Sequence, residues 1–335
     1  MNVLKQTAKQ CFNYTLATFA LIKLRLQRTP TLLILTYHRI LPASAPERAT
    51  EQPGMALTPE SLDAHLRLLR KLGAEFVSLD GWLQSRHKAE ALPRLAVAVT
   101  FDDGWQDNYQ HAFPVLRQHQ VPATIFLVSR RVNTPWQFWP ERILNILLNH
   151  DQELDHPALA WLREFGGTRN LTSDQANGVI ENLKQLDDET IEARLEEAES
   201  AIPTLRISDQ RFLLNKDEME QMRDSGLIDF GAHTRHHYRL NHLKEAGSLE
   251  SEICGSLKDL KADGLSPVNI FCYPNGNITA AGEQLVSDNF QAACTTQRGW
   301  NTAGVQPHLL SRFSFHDGNG GTNAGFLATL VRPGQ

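Results

Sequence analysis

The stretch Leu95-Ala96-Val97-Ala98-Val99-Thr100-Phe101-Asp102-Asp103-Gly104 decides the fold. Its uncharged run from 95 to 101 shows no polar alternation, as expected of a strand buried on both faces of a parallel sheet or barrel. Asp102, Asp103 and Gly104 then mark its C-terminal end. The run TLLILT at 31–36 repeats the pattern and leads into Tyr37-His38-Arg39. Further strands are expected at 76–79, 123–128, 227–231, 269–273, 291–295 and 310–315. Helices fall between them. Thr58-Pro59-Glu60 opens one, with Leu62, Leu66, Leu69 and Leu72 at helical spacing and Gly73 as its stop. Others are expected at 80–85, 107–119, 216–225, 247–263 and 279–288. Strand and helix in alternation predict an α/β fold, a wound sheet or a barrel. The rhythm fails only at about 138–208, where helix-spaced apolar residues predict a helical insertion.

Composition narrows the function classes. With 41% hydrophobic and 21% charged residues, the chain is neither collagen-like, nor wholly disordered, nor a multi-span membrane protein. A net charge of -5 argues against a nucleic-acid surface. The cysteines at 11, 254, 272 and 294 form no Cys-x-x-Cys pair, so neither a disulfide scaffold nor a thiolate zinc module is expected. A large binding domain or an enzyme remains, and the 13 histidines are the residues to follow.

Residues 1–28 carry Lys5, Lys9, Lys23, Arg25 and Arg28, and no acid precedes Glu47. Phe12, Leu16, Phe19, Ile22 and Leu26 recur at helical spacing, with Lys23 on the same face. Three readings stand: a helix packed on the outside of the domain, a basic helix on an anionic membrane, or an export signal. KLRLQR stands where a small-residue cleavage site would, which points to a cytoplasmic or membrane-peripheral chain and leaves export open.

Three features lie at strand ends, where α/β folds place their sites. Adjacent carboxylates such as Asp102 and Asp103 cannot both point the same way, so one can hold a metal while the other takes a proton. The same residues also make an ordinary turn. In Gly231-Ala232-His233-Thr234-Arg235-His236-His237, the outer histidines of the triplet spacing, His233 and His237, are four apart. On a helical turn they share a face, whereas His236 looks elsewhere. Phe271-Cys272-Tyr273-Pro274-Asn275-Gly276 supplies a rigid turn that a ligand can approach. Together, one Asp and two His make a three-ligand set with coordination positions left open, as in catalytic zinc sites.

Thr-Phe-Asp-Asp-Gly, His-Thr-x-x-His and Tyr-Pro-x-Gly, in this order, resemble the motifs of the polysaccharide deacetylases, the NodB-homology enzymes of carbohydrate esterase family 4. Flanking Leu35–Arg39, residues 122–127 and Phe138-Trp139-Pro140 agree. The resemblance covers roughly 32–315. It implies a distorted (β/α)7 barrel at 29–335 with the helical insertion, preceded by the basic helix at 1–28. It implies removal of acetyl groups from an N-acetylated glycan, an envelope or exopolysaccharide, with a divalent ion, most often zinc. Asp103, His233 and His237 would hold the ion, Asp102 would be the general base, and the Tyr273 backbone N–H beside Pro274 would bind the oxyanion. Family members with an N-terminal Tyr-His strand end suggest His38 as the general acid, with His316 as the other candidate. Arg312 is expected to orient Asp102, and Trp105 and Trp300 to stack on a sugar or pack the core. Two alternatives remain: a small-molecule amide hydrolase on the same barrel, and a non-catalytic glycan binder. No oligomeric state follows.

Overall fold

The computed structural model of the chain describes residues 2–206 and 211–332. Six strands pair side by side in chain order and in parallel: β1 (Thr31–Tyr37), β2 (Leu95–Phe101), β3 (Ala123–Leu127), β4 (Ile228–Ala232), β5 (Ile270–Cys272) and β6 (Ala292–Cys294). A seventh, β7 (Phe313–Ser314), pairs in parallel with β1, and Leu310 just before it bridges to Cys294 of β6. The curled sheet therefore closes into a distorted (β/α)7 barrel. Its lower rim splays, because β3 reaches only residues 99–101 of β2 and β7 only residues 35–36 of β1. Glu75–Phe76 and Asn301–Thr302 pair with the free lower halves.

Burial on both faces explains the unbroken apolar runs. Leu33, Leu35, Val97 and Val99 face the surrounding helices. Their neighbours Leu32, Ile34, Ala96 and Ala98 fill the barrel with Ile270, Cys272, Ala292 and Cys294. Each buried Leu, Ile or Val contributes about 1.5–3 kcal/mol of transfer free energy, so both faces reward the same strand. Small Ala and Cys side chains suit the narrow interior.

Between β3 and β4 the chain is helical, with Trp139–Asn149, Ser173–Leu183 and Asp188–Ala201 packed around a cluster of their own that includes Ile143, Leu147, Ile180 and Leu195. The boundary expected near 208 falls outside the described residues. A buried ion pair ties this insertion to the barrel: Arg239 Nε lies 3.0 Å from Asp188 Oδ1, and the Arg239 backbone N–H donates to Asp188 Oδ2 at 2.7 Å.

The N-terminal helix, Asn2–Leu26, lies on the outside of the barrel. Its packing face is not the expected stripe. Ala17, Ala20 and Leu24 are buried, whereas Phe12, Phe19, Ile22 and Leu26 are at least half exposed. Two alanines allow close approach to the helix Asn323–Thr329, and larger side chains at those positions would hold the helices apart.

Candidate metal and catalytic site

The pleat of two strands builds the floor of the site. Ile34 and Ala98 point into the barrel, and two residues on in each strand Thr36 and Thr100 meet, Oγ1 to Oγ1, at 3.0 Å. Two residues further, His38 and Asp102 reach a cavity of about 270 Å³ at the C-terminal end of the barrel. Asp103 would point outward in an extended chain. Its φ of +75° turns it back to the same cavity, a conformation that costs a non-glycine residue on the order of 1–3 kcal/mol.

His233 and His237 both face Asp103, each placing Nε2 3.4 Å from Asp103 Oδ1. They do not share a helical turn, as the sequence spacing suggested. Residues 233–239 form a loop in which Thr234 and His237 take φ of +61° and +64°. The Thr234 hydroxyl accepts the His237 backbone N–H at 3.0 Å and fixes the bend. His236 turns away to Glu252, 2.5 Å from Nδ1 to Oε1.

The donor chemistry of this trio fits a cation. His233 Nδ1 donates to the Cys272 carbonyl at 2.7 Å, which leaves the Nε2 lone pair aimed at Asp103. Burial lowers the His237 pKa to about 4, so this ring is neutral near pH 7. Asp103 Oδ1 is buried and has no hydrogen-bond donor among the described residues. Two imidazole nitrogens and a carboxylate oxygen that lacks a donor, within 4.8 Å of one another, make a donor set that suits a cation. A second cluster, Asp102, His233 and Cys272, is equally compact. It suits an ion less well, because burial pushes the Cys272 thiol well above its usual value and Arg312 already engages both Asp102 oxygens.

Arg312 sits in the segment that closes the barrel, and its guanidinium meets Asp102 at 2.7 and 2.8 Å. Burial alone would raise the Asp102 pKa. The Arg312 charge and hydrogen bonds outweigh it, with smaller help from His233 and His38, and hold Asp102 below the usual carboxylate range. His38 Nε2 lies 3.9 Å from Asp102 Oδ2 on the cavity wall. His316 instead caps the helix Asp317–Gly320, its Nδ1 accepting from the Gly318 N–H, and does not line the cavity.

Of the two roles expected for Trp105 and Trp300, the structure supports packing over sugar stacking. Trp105 is buried with its ring tilted against Phe138, and its indole N–H donates to Asp103 Oδ2 at 2.9 Å. It orients the carboxylate and offers no open face to a sugar. Trp300 lies away from the cavity, bonded to the Leu330 carbonyl beneath Lys23. The Tyr273 N–H is also unsuited to the oxyanion role expected of it, because it donates to the Cys294 carbonyl at 3.1 Å. Pro274 has no N–H, and that of Gly276 bonds back to Tyr273. Asn275 of this turn lines the cavity. Gly276, at φ +69°, is required here, since a Cβ would run into the Thr296 side chain.

Other lining groups gave no recognisable sequence signal. Trp139, Pro140, Glu141 and Asp188 bring the insertion into the cavity wall. Burial and the nearby Glu51 charge raise the Glu141 pKa well above normal, and its Oε2 is buried without a hydrogen-bond partner among the described residues. Only the match to Phe138-Trp139-Pro140 hinted that this segment approaches the site.

Residues 89–289 match the sequence profile of the family described as polysaccharide deacetylase. An 89-residue stretch is 34% identical to the poly-beta-1,6-N-acetyl-D-glucosamine N-deacetylase of Escherichia coli K12, covering 27% of this chain and 13% of that one. A 109-residue stretch is 28% identical to the enzyme of the same name from Staphylococcus epidermidis, covering 30% and 37%. The matched stretches thus span well under half of those relatives. Among solved structures, the fold is similar to Streptococcus pyogenes deacetylase PplD in complex with acetate (TM-score 0.59, 18% identity, 91% of this chain and 100% of that one). It is also similar to IcaB from Ammonifex degensii (TM-score 0.57, 19% identity, 90% and 98%).

Proposed function

The chain belongs to the polysaccharide deacetylase family, and from that premise we propose that it is a metal-dependent de-N-acetylase acting on N-acetylhexosamine residues of an exopolysaccharide. The observation that carries this reading is the meeting of two differently tuned carboxylates at one cavity. Asp102 is ionised against Arg312, and Asp103 lies between the imidazoles of His233 and His237. The named relatives from Escherichia coli and Staphylococcus epidermidis support the substrate class.

Asp103, His233 and His237 would hold a divalent ion, for which the resemblance favours zinc. Bound there, it supplies Lewis acidity toward the acetyl carbonyl and the attacking water. Asp102 accepts a proton from that water as its oxygen adds to the carbonyl carbon. Arg312 keeps Asp102 in the carboxylate form needed for this. The Asn275 N–H offers a donor to the developing oxyanion. His38 delivers a proton to the sugar nitrogen, the C–N bond breaks, and acetate and a free amine leave. Trp105 holds Asp103, and the Cys272 carbonyl holds His233, so the ligands meet the ion in fixed orientations.

The test is to incubate the protein with an N-acetylglucosamine oligomer and follow free amine, before and after chelation and after zinc is restored. Loss on chelation with recovery on zinc addition is expected. Full activity in chelator would remove the metal from the mechanism.

A further inference from the structure

The N-terminal helix leaves an apolar face uncovered. Every large hydrophobic residue exposed among those described lies on it: Phe12, Tyr14, Phe19, Ile22 and Leu26, at 50–68% exposure. At about 100° per residue, Phe12, Phe19, Ile22 and Leu26 fall within an arc of about 80°, opposite the buried Ala17, Ala20 and Leu24. Soluble surfaces scatter such residues singly, and four of them on one arc, with the exposed Thr15 among them, mark a docking surface.

Charge decides what docks. The sequence up to residue 46 contains no Asp or Glu. Arg25 and Arg28 are exposed and have no acidic partner among the described residues, and Lys23 lies over the Trp300 ring. A second copy of the helix would set basic residues against basic residues, with no acid in either segment to pair them. An anionic lipid surface complements both the stripe and the charges, with long basic side chains reaching the headgroups. Among the described residues no helix is long and apolar enough to cross a membrane.

We propose that Asn2–Leu26 lies in the plane of an anionic bilayer surface, with Phe12, Phe19, Ile22 and Leu26 inserted and Arg25 and Arg28 on lipid headgroups. The docked face of Ala17, Ala20 and Leu24 would then hold the barrel against that surface.

The full chain is sedimented with phosphatidylcholine vesicles that contain or lack phosphatidylglycerol. Three proteins are compared: the native chain, the combined F12S/F19S/I22S/L26S variant and the R25Q/R28Q variant. All substitutions are on exposed positions, and circular dichroism with a thermal melt confirms that each variant is folded. The native chain is expected to pellet with anionic vesicles and to stay largely in solution with neutral ones. The apolar variant should bind at least about tenfold more weakly, and the charge variant about tenfold more weakly with reduced salt dependence. Equal binding to both vesicle types, native-like binding by the apolar variant, or no binding at all would overturn the proposal. So would a dimer that the apolar variant abolishes in a chain that ignores vesicles.

Discussion

Arg312 grips both oxygens of Asp102, at 2.7 and 2.8 Å, from the strand segment that closes the barrel. Both groups are almost wholly buried, and the pair joins residues 210 apart in the sequence. Arg312→Gln should therefore do two things. It leaves a buried carboxylate uncompensated, at a cost of about 3–5 kcal/mol in stability. It also removes the charge that holds the Asp102 pKa down, so burial then raises it and the acid limb of kcat/KM moves to higher pH. A pH–rate profile reads the second effect separately from the melt, and an unmoved acid limb would detach Arg312 from the protonation of Asp102.

His38 and His316 were the two candidates for the general acid, and only His38 reaches the cavity. His38→Gln should lower kcat by about 10²–10⁴-fold with little change in metal affinity. His316→Gln should cost some stability through its helix cap and leave kcat near the native value. Steady-state kinetics on a glycan oligomer distinguishes them, and a reversed pattern would reassign the acid.

Metal binding has a readout independent of turnover. An ion that binds only the folded chain raises stability by about 2.7 kcal/mol at a hundredfold excess over Kd. Zinc should raise the melting temperature of the chelator-treated native chain. His233→Ala or His237→Ala should abolish most of that rise. A rise that survives either substitution places the ion elsewhere.

His65 provides a pH-dependence outside the site. Its ring is buried, accepts the Tyr37 O–H at Nδ1 (3.0 Å) and faces the Gly320 carbonyl at Nε2 (2.7 Å), stacked on Phe326. Burial lowers its pKa from 6.5 to about 4. Between those values the unfolded chain binds the proton and the folded chain does not, so stability falls as pH drops from about 6.5 to about 4. The loss is roughly 2–3 kcal/mol. Denaturant melts across that window should show it, and the slope should be shallower in His65→Phe. Equal slopes would show that His65 is not the group responsible.

The strands were legible because burial on both faces demands unbroken apolar runs, and the run at 95–101 is such a sequence. Period-two parity could also have found His38 and Asp102, since each continues an inward row past Thr36 and Thr100. Asp103 and His237 were legible only as residue types. Their orientation rests on left-handed backbone at 103, 234 and 237, which no sequence spacing encodes, and this is why the helical-turn expectation failed. The N-terminal stripe misled for another reason. Apolar periodicity marks a face without saying whether protein covers it, and two alanines made the better packing surface. Glu141 and Asp188 came from an insertion that the sequence marks only as helical, and the Arg239–Asp188 pair is what folds it onto the barrel.

The central claim is that Asp102 takes a proton from water beside an ion held by Asp103, His233 and His237, and that an N-acetyl group is cleaved as a result. The most direct measurement compares the zinc-loaded native chain with zinc-loaded Asp102→Asn on a β-1,6-linked N-acetylglucosamine oligomer, following acetate and free amine together. Equal amounts of the two products are expected from the native chain. At least about 10²-fold slower release is expected from the variant, which should still bind zinc. Native-like release by Asp102→Asn, or no acetate from the fully metallated native chain on any N-acetylated glycan, would contradict it.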